Sequence, residues 1–121
     1  MEFSSHQPIY IQIKNLIKTK MVSGEICEGE KLPSVREFSK ELKVNPNTIQ
    51  RAFQELEREG IVVTQRGTGT FATDDIQKVQ NLKKRMATEI IEQFFMEMKN
   101  LGFKSDEIKQ MITERLKEEI E

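Results

Sequence analysis

The stretch Leu32-Pro33-Ser34-Val35-Arg36-Glu37-Phe38-Ser39-Lys40-Glu41-Leu42-Lys43-Val44-Asn45-Pro46-Asn47-Thr48-Ile49-Gln50-Arg51-Ala52-Phe53-Gln54-Glu55-Leu56 carries two helix starts in close succession. Ser34 stands three residues before Glu37, the reciprocal spacing in which each side chain satisfies an orphan backbone amide. A helix over Val35 to Leu42 follows, turning Val35, Phe38 and Leu42 inward. Asn45 is a strong N-cap and Pro46 suits a first helical position, so a second helix begins there. It carries Ile49, Ala52, Phe53 and Leu56 as its inner stripe and ends by Gly60. Only Lys43 and Val44 separate the two. Helices joined so tightly form a helix-turn-helix pattern, which points to DNA only when the outward residues also suit it.

Those outward residues are distributed unevenly. From Asn45 to Gln54 there is one cation and no anion, whereas Glu55, Glu57 and Glu59 crowd the last turn. A recognition helix enters the major groove with its N-terminal end, where dipole and free amides favour phosphate, so acids belong at the far end. Asn47, Thr48, Gln50 and Arg51 lie off the inner stripe. Asn and Gln can pair with adenine, Arg with guanine or phosphate, and Thr with phosphate or a methyl group.

Upstream, Pro8 suits a first helical position, and Ile9, Ile13, Leu16, Ile17 and Met21 follow on one face, with Gly24 as a left-handed cap. A turn over Cys27 to Lys31 leads into the quoted stretch. Downstream, the period changes to that of strands: Ile61-Val62-Val63-Thr64, a Gly-containing tip over Gln65 to Gly69, then Thr70-Phe71-Ala72. Three helices and a hairpin in this order make a winged helix-turn-helix. Arg36 at the start of the second helix and Arg66 at the hairpin tip are expected to reach the same duplex. Gly67, Thr68 and Gly69 leave the tip backbone free to approach closely.

The residues resemble the GntR family of transcription regulators. The likeness spans about Pro8 to Phe71: Pro8-Ile9-Tyr10 with Gln12-Ile13, Gly29 to Arg36, Asn45-Pro46-Asn47-Thr48-Ile49, Ala52-Phe53 with Leu56-Glu57, Glu59-Gly60-Ile61-Val62, and Arg66 to Phe71. The resemblance implies a bacterial DNA-binding repressor. It also implies that Ser34, Arg36, Asn47, Thr48, Gln50, Arg51, Arg66 and Gly67 lie against DNA. Asn45, Thr68 and Gly69 complete the expected DNA-binding set. The position of Gln50 is often Arg in other branches.

Asp74-Asp75 marks a boundary, giving an expected DNA-binding domain over residues 1–73 and a helical region over 74–121. Val79, Leu82, Met86, Ile90, Phe94 and Met98 recur every three or four residues, and Ala87, Ile91 and Phe95 widen the stripe beyond what one neighbouring helix covers. Asn100-Leu101-Gly102 ends this helix, and Ser105 is expected to cap a last one. A region this short holds two helices and no large ligand-binding domain. It is similar to the YtrA-type branch of the family, in which such a tail mediates dimerisation. Val79, Leu82, Met86, Ile90, Ile91, Phe94, Phe95 and Met98 are the expected dimerisation residues, within an α+β, mainly α, chain.

Composition bounds the remaining choices. The 121 residues carry 19 Lys and Arg against 20 Asp and Glu, a net charge of −1, so charge alone does not announce a nucleic-acid binder. A single His, His6, and a single Cys, Cys27, exclude a His-based triad, an intrachain disulfide and a thiolate zinc site within one chain. Neither catalytic residues, a metal nor a cofactor is expected. No apolar run approaches the ~18 residues of a membrane span, and a cytoplasmic protein is the natural expectation. The expected partners are double-stranded operator DNA and a second copy of the chain. A cleft near Met86, Phe94, Phe95, Met98 and Phe103 is open to a small apolar effector, although such a stripe more often packs a core or a dimer. The competing reading is a winged helix that binds protein instead of DNA.

Overall fold

In the computed structural model, residues 2–120 are described. They run in the order α1 (Ile9–Val22), α2 (Val35–Leu42), α3 (Pro46–Arg58), β1 (Val62–Gln65), β2 (Gly69–Ala72), α4 (Ile76–Asn100) and α5 (Ser105–Ile120). The chain divides into two compact units, Met1–Lys83 and Lys84–Glu121. The start of α4 belongs to the first unit and buries Val79 and Leu82 there.

The helix-turn-helix is locked by local chemistry on both sides of its turn. Ser34 Oγ accepts from the Glu37 amide at 3.1 Å while the Ser34 amide donates to Glu37 Oε1 at 3.0 Å. These bonds from the Ser34 amide and then its hydroxyl hold the Glu37 carboxyl below the usual carboxylate range. Lys43 ends α2 in the left-handed region at φ 55°, and the Val44 amide and the Ser39 hydroxyl close the turn with bonds of 3.1 Å and 2.6 Å. Asn45 Oδ1 then accepts from the Asn47 amide at 2.8 Å, with Pro46 as the first helical residue.

Burial follows the inner stripe of α3, where Ile49, Ala52, Phe53 and Leu56 are all buried. Phe53 meets Phe38 of α2 edge to face, with ring centroids 5.7 Å apart. Ile13, Ile17 and Met21 of α1 close the other side, and Ile61, Val62 and Ala72 join the core from the sheet. In α2 only Phe38 is buried; Val35 and Leu42 stand half-exposed, because a helix of 8 residues brings both its ends to the surface. In α1, Ile9 is exposed and Leu16 half-buried, so the stripe is narrower than its apolar pattern.

Several boundaries differ from the pattern-based expectation: β1 starts at Val62 and takes in Gln65, and β2 takes in Gly69, so the tip is shorter by a residue at each end. Pro8 is the N-cap of α1, with extended ψ of 143°, and the helix starts one residue later. Ser105 is the first residue of α5 and not its cap; Glu107 Oε1 instead accepts from the Lys104 amide at 3.0 Å, while Ser105 Oγ receives Lys99 Nζ at 2.9 Å. The segment read as a turn over Cys27 to Lys31 does more than turn. Its second half runs along the free edge of β2, with Leu32 donating to Thr70 at 2.8 Å and Ala72 donating to Glu30 at 2.8 Å. The hairpin, in register Val62↔Ala72 to Gln65↔Gly69, is thus gripped on both edges of β2.

Leu56 lies at the centre of this core. Leu56→Ala is expected to lower unfolding stability by about 2–5 kcal/mol. Val63→Ala, at a half-exposed position on β1, should change it by no more than about 1 kcal/mol. Urea unfolding of the two variants measures both values.

Candidate nucleic-acid interface

With the inner stripe of α3 spent on the core, Asn47, Gln50, Arg51 and Gln54 are left exposed along the opposite face, and Thr48 is half-buried. The first turn holds no acidic residue, so the positive end of the helix dipole is not offset. Asn45 is also exposed; its side-chain oxygen serves the cap, and its side-chain nitrogen makes no hydrogen bond among the described residues.

Two acids at the far end of α3, Glu55 and Glu59, are bound to α1, and the third, Glu57, accepts from the Thr64 hydroxyl of β1. Tyr10, Lys14 and Lys18 follow one another at intervals of four on α1, and Arg51 and Glu55 of α3 with Glu59, its C-cap, do the same. The two rows meet rung by rung. Arg51 Cζ lies 3.7 Å from the centroid of the Tyr10 ring. Lys14 Nζ is 3.2 Å from Glu55 and 2.6 Å from Glu59, and Lys18 Nζ is 2.9 Å from Glu59. Arg51 Nε closes the row within α3 at 3.4 Å from Glu55 Oε2.

This row shifts two titrations. Partial burial disfavours the charge on Lys14, but hydrogen bonds and charges from Glu59 and Glu55 outweigh it and raise the ammonium above its ordinary 10.5. Burial likewise pushes Glu59 up, and the bonds and charges of Lys14 and Lys18 outweigh it, bringing the carboxyl below 4.5.

Ser34 and Arg36 are exposed at the start of α2, and the Leu32–Thr70 backbone bond brings the approach to that helix against the wing. At the tip, Arg66, Gly67 and Thr68 are exposed. Gly67 adopts φ 77° in open space, so the turn itself requires its freedom. Gly69 has a second reason: at φ 137°, an added Cβ would lie 2.7 Å from Lys31 Cε. Pattern reading missed Lys31, whose stem lies over the wing backbone and whose charge adds to this face. It also missed Tyr10, Lys14 and Lys18 as partners of α3, although matched intervals of four were the available signal.

In the second unit, Ile90, Ile91, Phe94 and Phe95 are exposed on α4, as are Met111, Ile112 and Leu116 on α5. Met86 and Met98 are half-buried. Val79 and Leu82 are already covered by the first unit and have little surface to offer a second chain. An open apolar groove of about 240 Å³ lies between Phe94, Phe95 and Ile91 of α4 and Ile108 and Ile112 of α5. Met86, Met98 and Phe103 do not line it. Cys27 is exposed and free. Among the described residues, no cluster of His, Cys, Asp or Glu could hold a metal ion, and no helix is long and apolar enough to cross a membrane.

The model of the bacterial regulatory proteins of the gntR family matches residues 9–72, which takes in α1, the helix-turn-helix and the wing. The chain belongs to the GntR family. Among GntR-type relatives, it is 47% identical over 107 residues to the uncharacterized HTH-type transcriptional regulator YhcF of Bacillus subtilis, covering 88% of each chain. It is 36% identical to the HTH-type transcriptional repressor YtrA of the same organism, covering 91% of this chain and 85% of that one. A GntR family transcriptional regulator from Listeria monocytogenes superposes with a TM-score of 0.86 at 41% identity, covering 93% of this chain and 98% of that one. AraR(DBD) in complex with operator ORX1 matches 60% of this chain and 93% of that one, with a TM-score of 0.56 at 27% identity.

The Lys14–Glu59 rung yields a pH dependence. The lowered Glu59 pKa contributes stability that is present above 4.5 and lost as pH falls through the folded value. The raised Lys14 pKa contributes stability that is present below 10.5 and lost as pH rises through its folded value. Glu59 is partly exposed and screened by water, so Glu59→Gln should reduce stability at neutral pH by only about 0.5–1 kcal/mol. It should also flatten the acid limb of the stability curve. Unfolding midpoints collected from acid to neutral pH test this, and an unchanged acid limb would contradict it.

Proposed function

We propose that this GntR-family regulator is a homodimeric repressor that binds an inverted-repeat operator through two copies of its winged helix. The observation that carries this is the exposed N-terminal face of α3. It offers Asn47, Gln50 and Arg51 with no acid among them, while Glu55 and Glu59 at the far end are held by α1. Arg36 at the start of α2, and Arg66 with Gly67, Thr68 and Gly69 on the wing, supply backbone contacts. Ser34, Asn45 and Thr48 add polar groups at the two helix starts. The operator complex of AraR(DBD) and the repressor role carried in the name of YtrA support the DNA-bound and repressing parts of this reading. On this reading the chain works in the cytoplasm, by occupying promoter DNA.

The dimer assignment rests on the second unit. Ile90, Ile91, Phe94 and Phe95 form a continuous exposed apolar face, and two-fold pairing of α4 and α5 with their copies would cover it. We read the apolar groove as part of that interface and not as an effector site, because it is open and its lining is continuous with the exposed stripe. Recognition helices of such a dimer would enter major grooves about 34 Å apart, one helical turn of DNA.

Two outcomes are expected. Affinity for a duplex selected from a random library should fall steeply between low and moderate salt, and Arg36→Ala or Arg51→Ala should weaken it by about 1–3 kcal/mol with the fold retained. Binding indifferent to salt and to both substitutions would favour the protein-binding alternative. In sedimentation, the chain should be a dimer and Phe94→Glu a monomer with a folded first unit. A concentration-independent monomer for the unaltered chain would refute the dimer.

A further inference from the structure

Arg51 is restrained on two sides before any ligand arrives. Its guanidinium carbon Cζ lies over the Tyr10 ring, 3.7 Å from the centroid. Its Nε edge is turned to Glu55 at 3.4 Å, and Glu55 is itself tethered by Lys14 at 3.2 Å. The side chain nevertheless remains 61% exposed. Among the described residues its two terminal nitrogens form no hydrogen bond or ion pair, so the Nη1–Nη2 edge is the fork left open.

An arginine needed only for phosphate contact gains little from such restraint, because phosphate accepts from many directions. A base edge is different: guanine offers O6 and N7 in one plane, and bidentate pairing requires the guanidinium plane to match it. Stacking on a ring sets that plane. The Tyr10 hydroxyl makes no hydrogen bond among the described residues, so the aromatic face is what acts on Arg51.

We propose that Tyr10 is a positioning residue that presents Arg51 to a guanine in each half-site, so that α1 sets part of the base specificity from outside the groove. This rests on the reading that the N-terminal face of α3 meets DNA. Glu55 is the second support, orienting the Nε edge from within α3, and Lys14 holds Glu55 in place.

The test uses the full chain and a duplex selected by it from a random library, with each guanine replaced in turn by 7-deazaguanine, which lacks the N7 acceptor. For the unaltered chain, one guanine per half-site should show a penalty of about tenfold in affinity, and Arg51→Ala should abolish that penalty. Tyr10→Leu should reduce it to about threefold or less, while Tyr10→Phe should keep it. Should Tyr10→Leu not fold, phenylalanines of increasing fluorination at position 10 drain the ring's negative face at nearly constant shape. The guanine penalty should then decline with each fluorine, a response that packing alone does not produce. A full penalty in Tyr10→Leu or in the fluorinated series, with the penalty absent in Arg51→Ala, would overturn the role of Tyr10 alone. A penalty that survives Arg51→Ala would overturn the guanine assignment. Failure of the unaltered chain to prefer the selected duplex over random DNA would remove the DNA-binding reading beneath both.

Discussion

The joint between α1 and α3, an apolar stripe flanked by a polar row, is the constraint on which the exposed face of α3 depends. Apolar packing of Ile13, Ile17 and Met21 against the stripe of Ile49, Ala52, Phe53 and Leu56 turns that stripe inward and so decides which side of α3 faces out. Lys14 and Lys18 against Glu55 and Glu59 add register, because each charge has a partner at a definite height along the helix. The row thereby sets the height of α1 against α3 and engages two of the acids at the far end of that helix. Each pair is partly wet and contributes modestly to stability, so its effect is mainly on geometry.

The near-zero net charge is consistent with this arrangement. Residues 1–73 hold ten cations against nine anions, and the remainder holds nine against eleven. Within the first unit Glu55 and Glu59 pair with Lys14 and Lys18, which removes as many cations as anions, and Glu37 is held by the Ser34 cap. Arg36, Arg66 and Lys31 stay exposed on or near the wing and the start of α2. A phosphate backbone would therefore meet positive charge through the placement of these three cations and not through an excess of cations in the first unit. On the proposed reading, weak non-specific attraction from each half would make pairing of two winged helices a requirement for tight binding.

The fold was legible wherever one residue has one physical task. Ser34 with Glu37, and Asn45 with Pro46, announced the starts of α2 and α3, and both caps are present with the expected partners. The inner stripe of α3 was readable residue by residue because every member is buried by neighbours on either side. Pattern failed where a residue serves a distant element. The segment from Gly29 to Leu32 is too short to alternate, yet it pairs with β2, and only tertiary contact reveals that. Val79 and Leu82 share the helical period of Phe94 and Phe95, but periodicity cannot say that the first pair packs into the first unit. Among the candidate interface residues, the polar face of α3 was visible in the spacing. The stacking of Tyr10 on Arg51 was not, because the partners lie on different helices.

The central claim is that the N-terminal half of α3 and the wing form one DNA-binding face. Amide hydrogen exchange of the full chain, with and without a duplex selected by it, tests this most directly. Protection on DNA addition is predicted to concentrate at residues 34–36, 45–51 and 66–69 and to leave the exposed end of α3 beyond Glu55 unchanged. Protection confined to residues 84–120, or absent from the start of α3, would contradict the account.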